Sequence, residues 1–459
     1  MRSGSEFVER ALAVAALPCV AVFRESSQAN LRWAANALTT NGEMSASTLT
    51  VLATADVADG QAVGTVSAEV ATLDQVPAVV AAAEQAARSA PASPDAAQSV
   101  TAERSDPNWA SPAERTSIDL LAPLAGELGR GFDRARAQDI RLYGFAEHIL
   151  TTTVLGSSSG LRRRAVQPTG RFDINAKSDR GGSAWAGRST RDFTDVEVGS
   201  VLDDLQTRLG WGETSIALPP GRYETLLPPA AVADLMIYAF WTANAQDAEE
   251  GRNVYAVPGD GTTIGRRLSG LPITLTSDPA YPGLECAPFV DSPASADGTN
   301  WAFDMGLPVT AVDWLSGGVH SELIRNRARA SKTGLAVTAP PDNLIMEAHG
   351  TATLAEMIAR TERGLLLTCL WYIREVDPER LLLTGLTRDG VYLIENGVVV
   401  GAVNNFRFNE SPIELLGRIS EIGRTEKVLC REWNDFFNRT AMPAVRVPDF
   451  NMSTVSPAN

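Results

Sequence analysis

The chain has 459 residues, 44% of them hydrophobic and 21% charged, with a formal net charge of -15. This is a globular composition, long enough for two or three domains and a large core. The excess of acid repels phosphate backbones and anionic lipid, which excludes nucleic acid and membrane surfaces as expected partners.

Residues 6–17 read as an amphipathic helix and 19–24 as a short strand. The apolar run 11–23 resembles a secretory leader only superficially, because Glu6 and Glu9 offset Arg2 and Arg10 and Pro18 divides it. No run is long enough to span a bilayer. Strands are expected at 30–34 and around Leu38, with Asn41-Gly42 as the turn to the next. Residues 47–54 and 61–71 are strands flanking Asp59-Gly60, and 77–88 is an Ala-rich helix. Residues 89–112, rich in Ala, Pro, Ser and Asp, read as a long exposed connection. Helix is expected from 112 to about 137.

Strands follow at 139–155, 161–175 and 184–187, separated by turns at Gly156–Gly160 and Asp179–Ser183. Residues 195–209 form a helix with Val196, Leu202, Leu205 and Leu209 on one side. An N-terminal half, 1–212, is thus a mixed sheet with helices. The second half, 213–459, opens with a strand and a Pro-Pro-Gly turn, then a helix over 229–245. Short strands and glycines fill 251–278, and 278–300 is loop. Residues 301–312 and 318–325 are expected to pair in the sheet, and 332–344 is loop. The last segment, 425–459, is apolar in patches and carries Pro443 and Pro448.

The stretch from Thr353 to Ser411 is the most legible. Thr353 and Glu356 have capping-box spacing, Leu354, Met357 and Ile358 share a helical face, and Gly364 is the expected stop. An antiparallel meander follows: an apolar run at 365–373, the Asp377-Pro378 turn, strands at 381–388, 391–395 and 398–403, with Asp389-Gly390 and Asn396-Gly397 as hairpin turns. Alternation then sends Phe406 and Phe408 to the core and Asn405, Arg407 and Asn409 to the other face. Such a row of amides and a guanidinium can contact a peptide, or it can brace neighbouring loops. Ser411-Pro412-Ile413-Glu414 opens another capped helix.

The segments ERGLLLTCLWYIREVDP, LTGLTRDGVYLIENG and VGAVNNFRFNES closely resemble the C-terminal domain of the TldD/PmbA (TldE) family. The resemblance is strongest over residues 348–430. It implies an α+β fold with an N-terminal α/β-type domain and a C-terminal domain rich in antiparallel strands. It also implies a cytoplasmic zinc metallopeptidase heterodimer, in which one chain carries the metal on a helical His-Glu-x-x-x-His motif. Two imidazoles a little over one turn apart can share an ion, and the Glu can polarise its water.

This chain has three histidines, His148, His320 and His349, none near another in sequence. The segment in the motif's place, residues 229–241, has no histidine and one acid, Asp234, while Leu235, Tyr238 and Trp241 have the spacing of a packed face. Cys430 lies where metal-bearing relatives supply a thiolate, but alone it holds zinc poorly, and a partly buried thiol is the plainer reading. Cys19, Cys286, Cys369 and Cys430 form no C-x-x-C pair and no disulfide framework, and Cys369 sits in an apolar strand. The expectation is therefore a subunit with no metal and no catalytic residues of its own, paired with a TldD-like zinc-bearing subunit and acting on peptides. A homo-oligomeric peptide-binding scaffold is the alternative.

Other constellations are weak. Gly156–Gly160 lacks a Gly-x-Ser-x-Gly elbow, and Gly259–Gly265 lacks the Gly-Lys-Ser/Thr of a phosphate loop. Arg162-Arg163-Arg164 reads as a solvated strand edge.

Overall fold

The computed structural model describes residues 3–101, 105–180, 182–259 and 261–456. Its first half is built on one long-stranded sheet. Helix α1 (Gly4–Val14) precedes β1 (Cys19–Ala34), β2 (Ala37–Val57) and β3 (Gly60–Glu69). Then come α2 (Val76–Ser89), α3 (Ala122–Arg136), β4 (Ile140–Ser157), β5 (Arg162–Ser178), β6 (Ser183–Thr190) and α4 (Val198–Trp211). The strand order is β3-β2-β1-β4-β5-β6. Every pairing is antiparallel, where a mixed sheet was expected. Short turns join most sequential strands, and a hairpin connection leaves no other direction.

Alternation along the strands divides the sheet's contacts. Ala21, Phe23, Leu49, Val51 and Val154 pack with Phe7, Val8, Val79 and Val80 of α1 and α2. Their neighbours Val22, Leu52 and Leu155 pack instead with Phe289, Ala302 and Met305 of the second half. Further along, Leu142, Phe172 and Ile174 meet Leu128, Phe132, Leu202 and Leu205 of α3 and α4.

The β1–β2 turn falls at Ala35-Asn36, both with left-handed φ (49° and 63°), and Asn41-Gly42 lies inside β2. Asn36 decides this. Its buried amide donates to Ile140 O at 2.7 Å and accepts from Leu142 N at 2.7 Å, so β4 holds the turn where local propensity would not. The helix expected from 112 starts later, as a 3-10 turn at Ile118–Leu121 that runs into α3. The connection before it is tied down. Arg162 stacks on Trp109 at 5.5 Å, Arg163 pairs with Asp106 at 3.2 Å, and Arg164 donates to Pro112 O at 3.0 Å. The arginine run is thus a clamp for this connection rather than a solvated edge.

In the second half fourteen of the described strands join one sheet, and helix α5 (Pro229–Trp241) packs on it against Gly221–Leu227, Glu421–Val428 and Thr440–Val455. Here the sheet is mixed: Leu344–Glu347 with Thr440–Val455, Arg363–Leu367 with Gly221–Leu227, and Val398–Val403 with Ser215–Ile216 are parallel pairs. The capping box at Thr353 and Glu356 forms, but the helix stops at Ala359 and Gly364 is a strand residue opposite Ile394. The expected meander is differently wired. Asp389-Gly390 closes no hairpin: Leu382–Thr387 pairs with Leu370–Asp377, whereas Val391–Glu395 pairs with Arg363–Leu367. The two pairings form one long hairpin, kinked where Thr368 N donates to Gly390 O at 3.0 Å. A side chain at Gly390 would collide with Thr368 and Tyr392, and its φ is 134°. Asn396-Gly397 turns as expected.

Residues 301–311 form no strand, and the pairing segment is Val312–Ser316. The C-terminal segment holds the long strand Thr440–Val455, which pairs with four others despite its two prolines. The ladder slips between Val447 and Phe450, so Pro448 sits at an irregularity that needs no N–H.

Candidate functional site

Helix α5 begins at Pro229, whose preset φ suits a first helical position. Its residues from Ala230 to Ile237 are all buried. Asp234 is fully buried among them. Its carboxylate accepts the backbone N–H groups of Glu432 (2.9 Å) and Arg431 (3.3 Å), and the Trp433 indole donates to its carbonyl at 2.9 Å. Burial pushes the Asp234 carboxyl up to about 8, against the pull of those two N–H donors. Tyr238 and Trp241 close edge-on around Trp433, at 5.6 and 5.3 Å. This side of α5 is thus spent on holding the loop after Cys430.

Cys430 itself is fully rather than partly buried, and its thiol donates to Phe437 O at 3.2 Å. Burial and the neighbouring Asp234 push it well above the ordinary thiol value. A thiol held as a donor, beside a carboxylate already bonded to two amides, does not fit a zinc ion, which needs a thiolate and imidazoles. Among the described residues, no group of three or more His, Cys, Asp or Glu could hold a metal ion. His148 bonds Thr116 Oγ1 (2.7 Å) and Arg191 O (2.9 Å). His320 bonds Thr263 Oγ1 at 2.7 Å and stacks on Tyr255, and His349 is exposed.

The same loop forms one wall of a cleft of about 530 Å³ against β1, β4 and β5. Arg32 and Arg171 both stack on Phe145, at 4.7 and 4.9 Å. Arg431 lies against Trp185 and Trp371, at 5.1 and 4.7 Å. Asp173 accepts from the Trp185 indole at 2.9 Å and faces Arg431 at 3.5 Å. Burial raises the Asp173 and Glu147 carboxyls, although the arginines beside them pull down. Glu432 turns inward and accepts Tyr372 N and Ile373 N, both at 3.0 Å. Tyr372 stands at a left-handed φ of 54°, a conformation an aromatic residue keeps only when its surroundings impose it.

A family model described as the PmbA/TldA metallopeptidase C-terminal domain matches residues 220–454, more than half of the chain. The chain belongs to the TldD/PmbA (TldE) family. Among solved structures, TldE from Thermococcus kodakarensis matches with a TM-score of 0.77 at 16% identity, over 97% of this chain and 98% of that one. A Thermotoga maritima protein, described as a candidate modulator of a DNA gyrase, matches at 0.76 and 17% identity over 97% and 99%. A Bacteroides thetaiotaomicron protein of similar description matches at 0.76 and 13% over 98% of each chain. These likenesses show the shared α+β fold. The comparison with curated proteins gives no match.

The other residues singled out from the TldD/PmbA-like sequence lie elsewhere. Asn409 Oδ1 accepts from Thr384 Oγ1 at 2.9 Å, Arg407 donates to that hydroxyl at 3.3 Å, and Asn405 accepts from Thr387 Oγ1 at 3.3 Å. All three brace the adjoining strand, and none lines the cleft. At the Gly156–Gly160 tip, Ser157 and Ser159 bond each other at 2.6 Å, and His148 is committed to other partners. In the Gly259–Gly265 stretch, Asp260 lies outside the described residues. Nothing local in the sequence marks the cleft residues. Arg32, Arg171 and Arg431 are far apart in the chain, and no local pattern joins them.

Proposed function

We propose that this chain is the TldE/PmbA-like subunit of a TldD-type heterodimeric metallopeptidase, cytoplasmic and active on unfolded or small peptides, with zinc carried by the partner. The observation that carries this is the use of Asp234. On the helix where the catalytic relatives are expected to present His-Glu-x-x-x-His, the one acid is consumed as a cap for residues 431 and 432. The chain's part would be to complete the chamber and hold substrate. Two further facts agree with this setting. All four cysteines are free and buried. No helix among the described residues is long and apolar enough to cross a membrane.

The test is native mass spectrometry with metal analysis, on the full chain alone and co-expressed with a companion bearing His-Glu-x-x-x-His. The expected result is a mixed assembly whose zinc and peptidase activity enter with the companion. Near-stoichiometric zinc with peptidase activity in this chain alone would remove the reading. A stable homodimer that captures no companion would favour the homo-oligomeric scaffold.

A further inference from the structure

We infer that the cleft between β4–β5 and the 431–435 loop is a carboxylate-binding site, shaped to take the carboxylate of a peptide. Arg32 and Arg171 stack on Phe145, and Arg431 lies against Trp185 and Trp371. A guanidinium placed over a ring still has N–H groups with which to grip a carboxylate by two parallel bonds.

Donor accounting points the same way. Each guanidinium has five N–H donors. Arg171 uses Nε on Glu147 (3.1 Å) and Nη1 on Asn434 (3.0 Å) and Asp435. Arg431 reaches Asp173 only at 3.5 Å, and its Nε has no partner among the described residues. The Arg32 guanidinium, over the Phe145 ring, makes no hydrogen bond or ion pair to a described residue, and Arg32 is exposed. The Trp33 indole, 3% exposed and in the cleft wall, also lacks a partner for its N–H.

Most of the acid oxygens, by contrast, are committed. Both oxygens of Glu147 are taken, by Arg171 and Gln28, and both of Glu432 by backbone N–H groups. Asp173 is held on Oδ2 alone, by Trp185 and Arg431, and Asp435 on Oδ1 alone, by Arg171. Two acid oxygens keep acceptor capacity, but the exposed Arg32 guanidinium and Arg171 Nη2 offer more donors than these can take, so the ligand that completes the cleft is an acceptor. The walls also hold three carboxylates, Asp173, Glu432 and Asp435, and Glu147 is paired with Arg171 behind them. These oppose a dianion such as phosphate more strongly than a single carboxylate on a neutral chain. The volume of about 530 Å³ accepts a few peptide residues.

This rests on the preceding section only in taking the ligand to be a peptide; the site itself needs neither metal nor partner. The test is titration calorimetry of the full-length chain with N-acetyl-pentaalanine as free acid and as C-terminal amide. A third probe is the amide with one internal Glu. The free acid is expected to bind about tenfold more tightly than the plain amide, one charge-assisted contact's worth. Arg32→Gln, at an exposed position, should remove that preference, and Trp33→Phe should weaken it with the ring stack on Phe172 kept. If the internal Glu restores binding to the amide, the site stands and a side chain can supply the carboxylate. Equal binding of acid and amide, an unchanged Arg32→Gln, or no binding at millimolar peptide would overturn it. None of these outcomes depends on where the zinc sits, so the two readings fail separately.

Discussion

Replacing Asp234 by Asn tests the account of the loop after Cys430. The parent carboxyl takes one N–H on each oxygen, from Glu432 at 2.9 Å and Arg431 at 3.3 Å. An amide keeps one acceptor and turns an NH₂ toward the other N–H, leaving a buried donor unsatisfied at a cost of about 1–3 kcal/mol. The parent also carries a pH term. Burial raises its carboxyl from 3.8 to about 8. Between those values the unfolded chain has released the proton and the folded chain keeps it, so folding stability falls as pH rises, by up to about 1.4 kcal/mol per pH unit. Asp234→Asn has no such term. The variant should therefore be less stable than the parent at pH 5, and the gap should narrow or reverse by pH 8. Urea unfolding followed by tryptophan fluorescence at both pH values reads this directly. Because Asp234 holds the segment that buries Cys430, the variant should also expose that thiol to a disulfide reagent in native buffer. A gap of the same size at pH 5 and pH 8, or no gap at all, would refute the reasoning.

Arg446→Met should be severely destabilising, by about 3 kcal/mol in chemical denaturation. The guanidinium, 9% exposed, binds Glu421 (2.8 Å), Glu224 (2.6 Å), Thr361 (2.7 Å) and Met357 O (3.1 Å), and all would lose it together. Gly64→Ala should cost about 1–3 kcal/mol, because its Cβ would meet the backbone of Ala83 and Ala87 on α2, which cannot yield as a side chain can. A shift of the thermal midpoint near zero would contradict the close seating of α2 on β3. Burial holds His320 neutral, pushed from 6.5 down to about 4. Its contribution is intact above 6.5 and lost as pH falls toward 4, about 2 kcal/mol between pH 7 and 5. Asp234 acts in the opposite sense over the same range. The check is therefore the pH slope of His320→Gln against the parent's, and an unchanged slope would remove His320 from the account.

Local chemistry was sufficient wherever a feature closes on itself. The Thr353–Glu356 capping box and the Asn396-Gly397 hairpin formed where the residues placed them, because their partners are three residues away or directly across the turn. The alternation that sent Phe406 and Phe408 inward held for the same reason. Reading from sequence went astray where a distant strand outbid local preference. Asn41-Gly42 has the better turn chemistry, yet the chain reverses at Ala35-Asn36, because Asn36 finds two backbone partners on β4, over a hundred residues on. Asp389-Gly390 became a kink because the strands on either side of it pair with different neighbours.

The sequence alone determined the family, the α+β class and the lack of imidazoles on α5, since these are matters of composition and contiguous motif. Only the tertiary structure decided how that helix spends Asp234, and that Arg32, Arg171 and Arg431 converge on aromatic rings around one cleft. Those residues come from β1, β5 and the loop after Cys430. Their meeting depends on sheet register and on the packing of one half against the other, and neither is written in any short stretch of the chain.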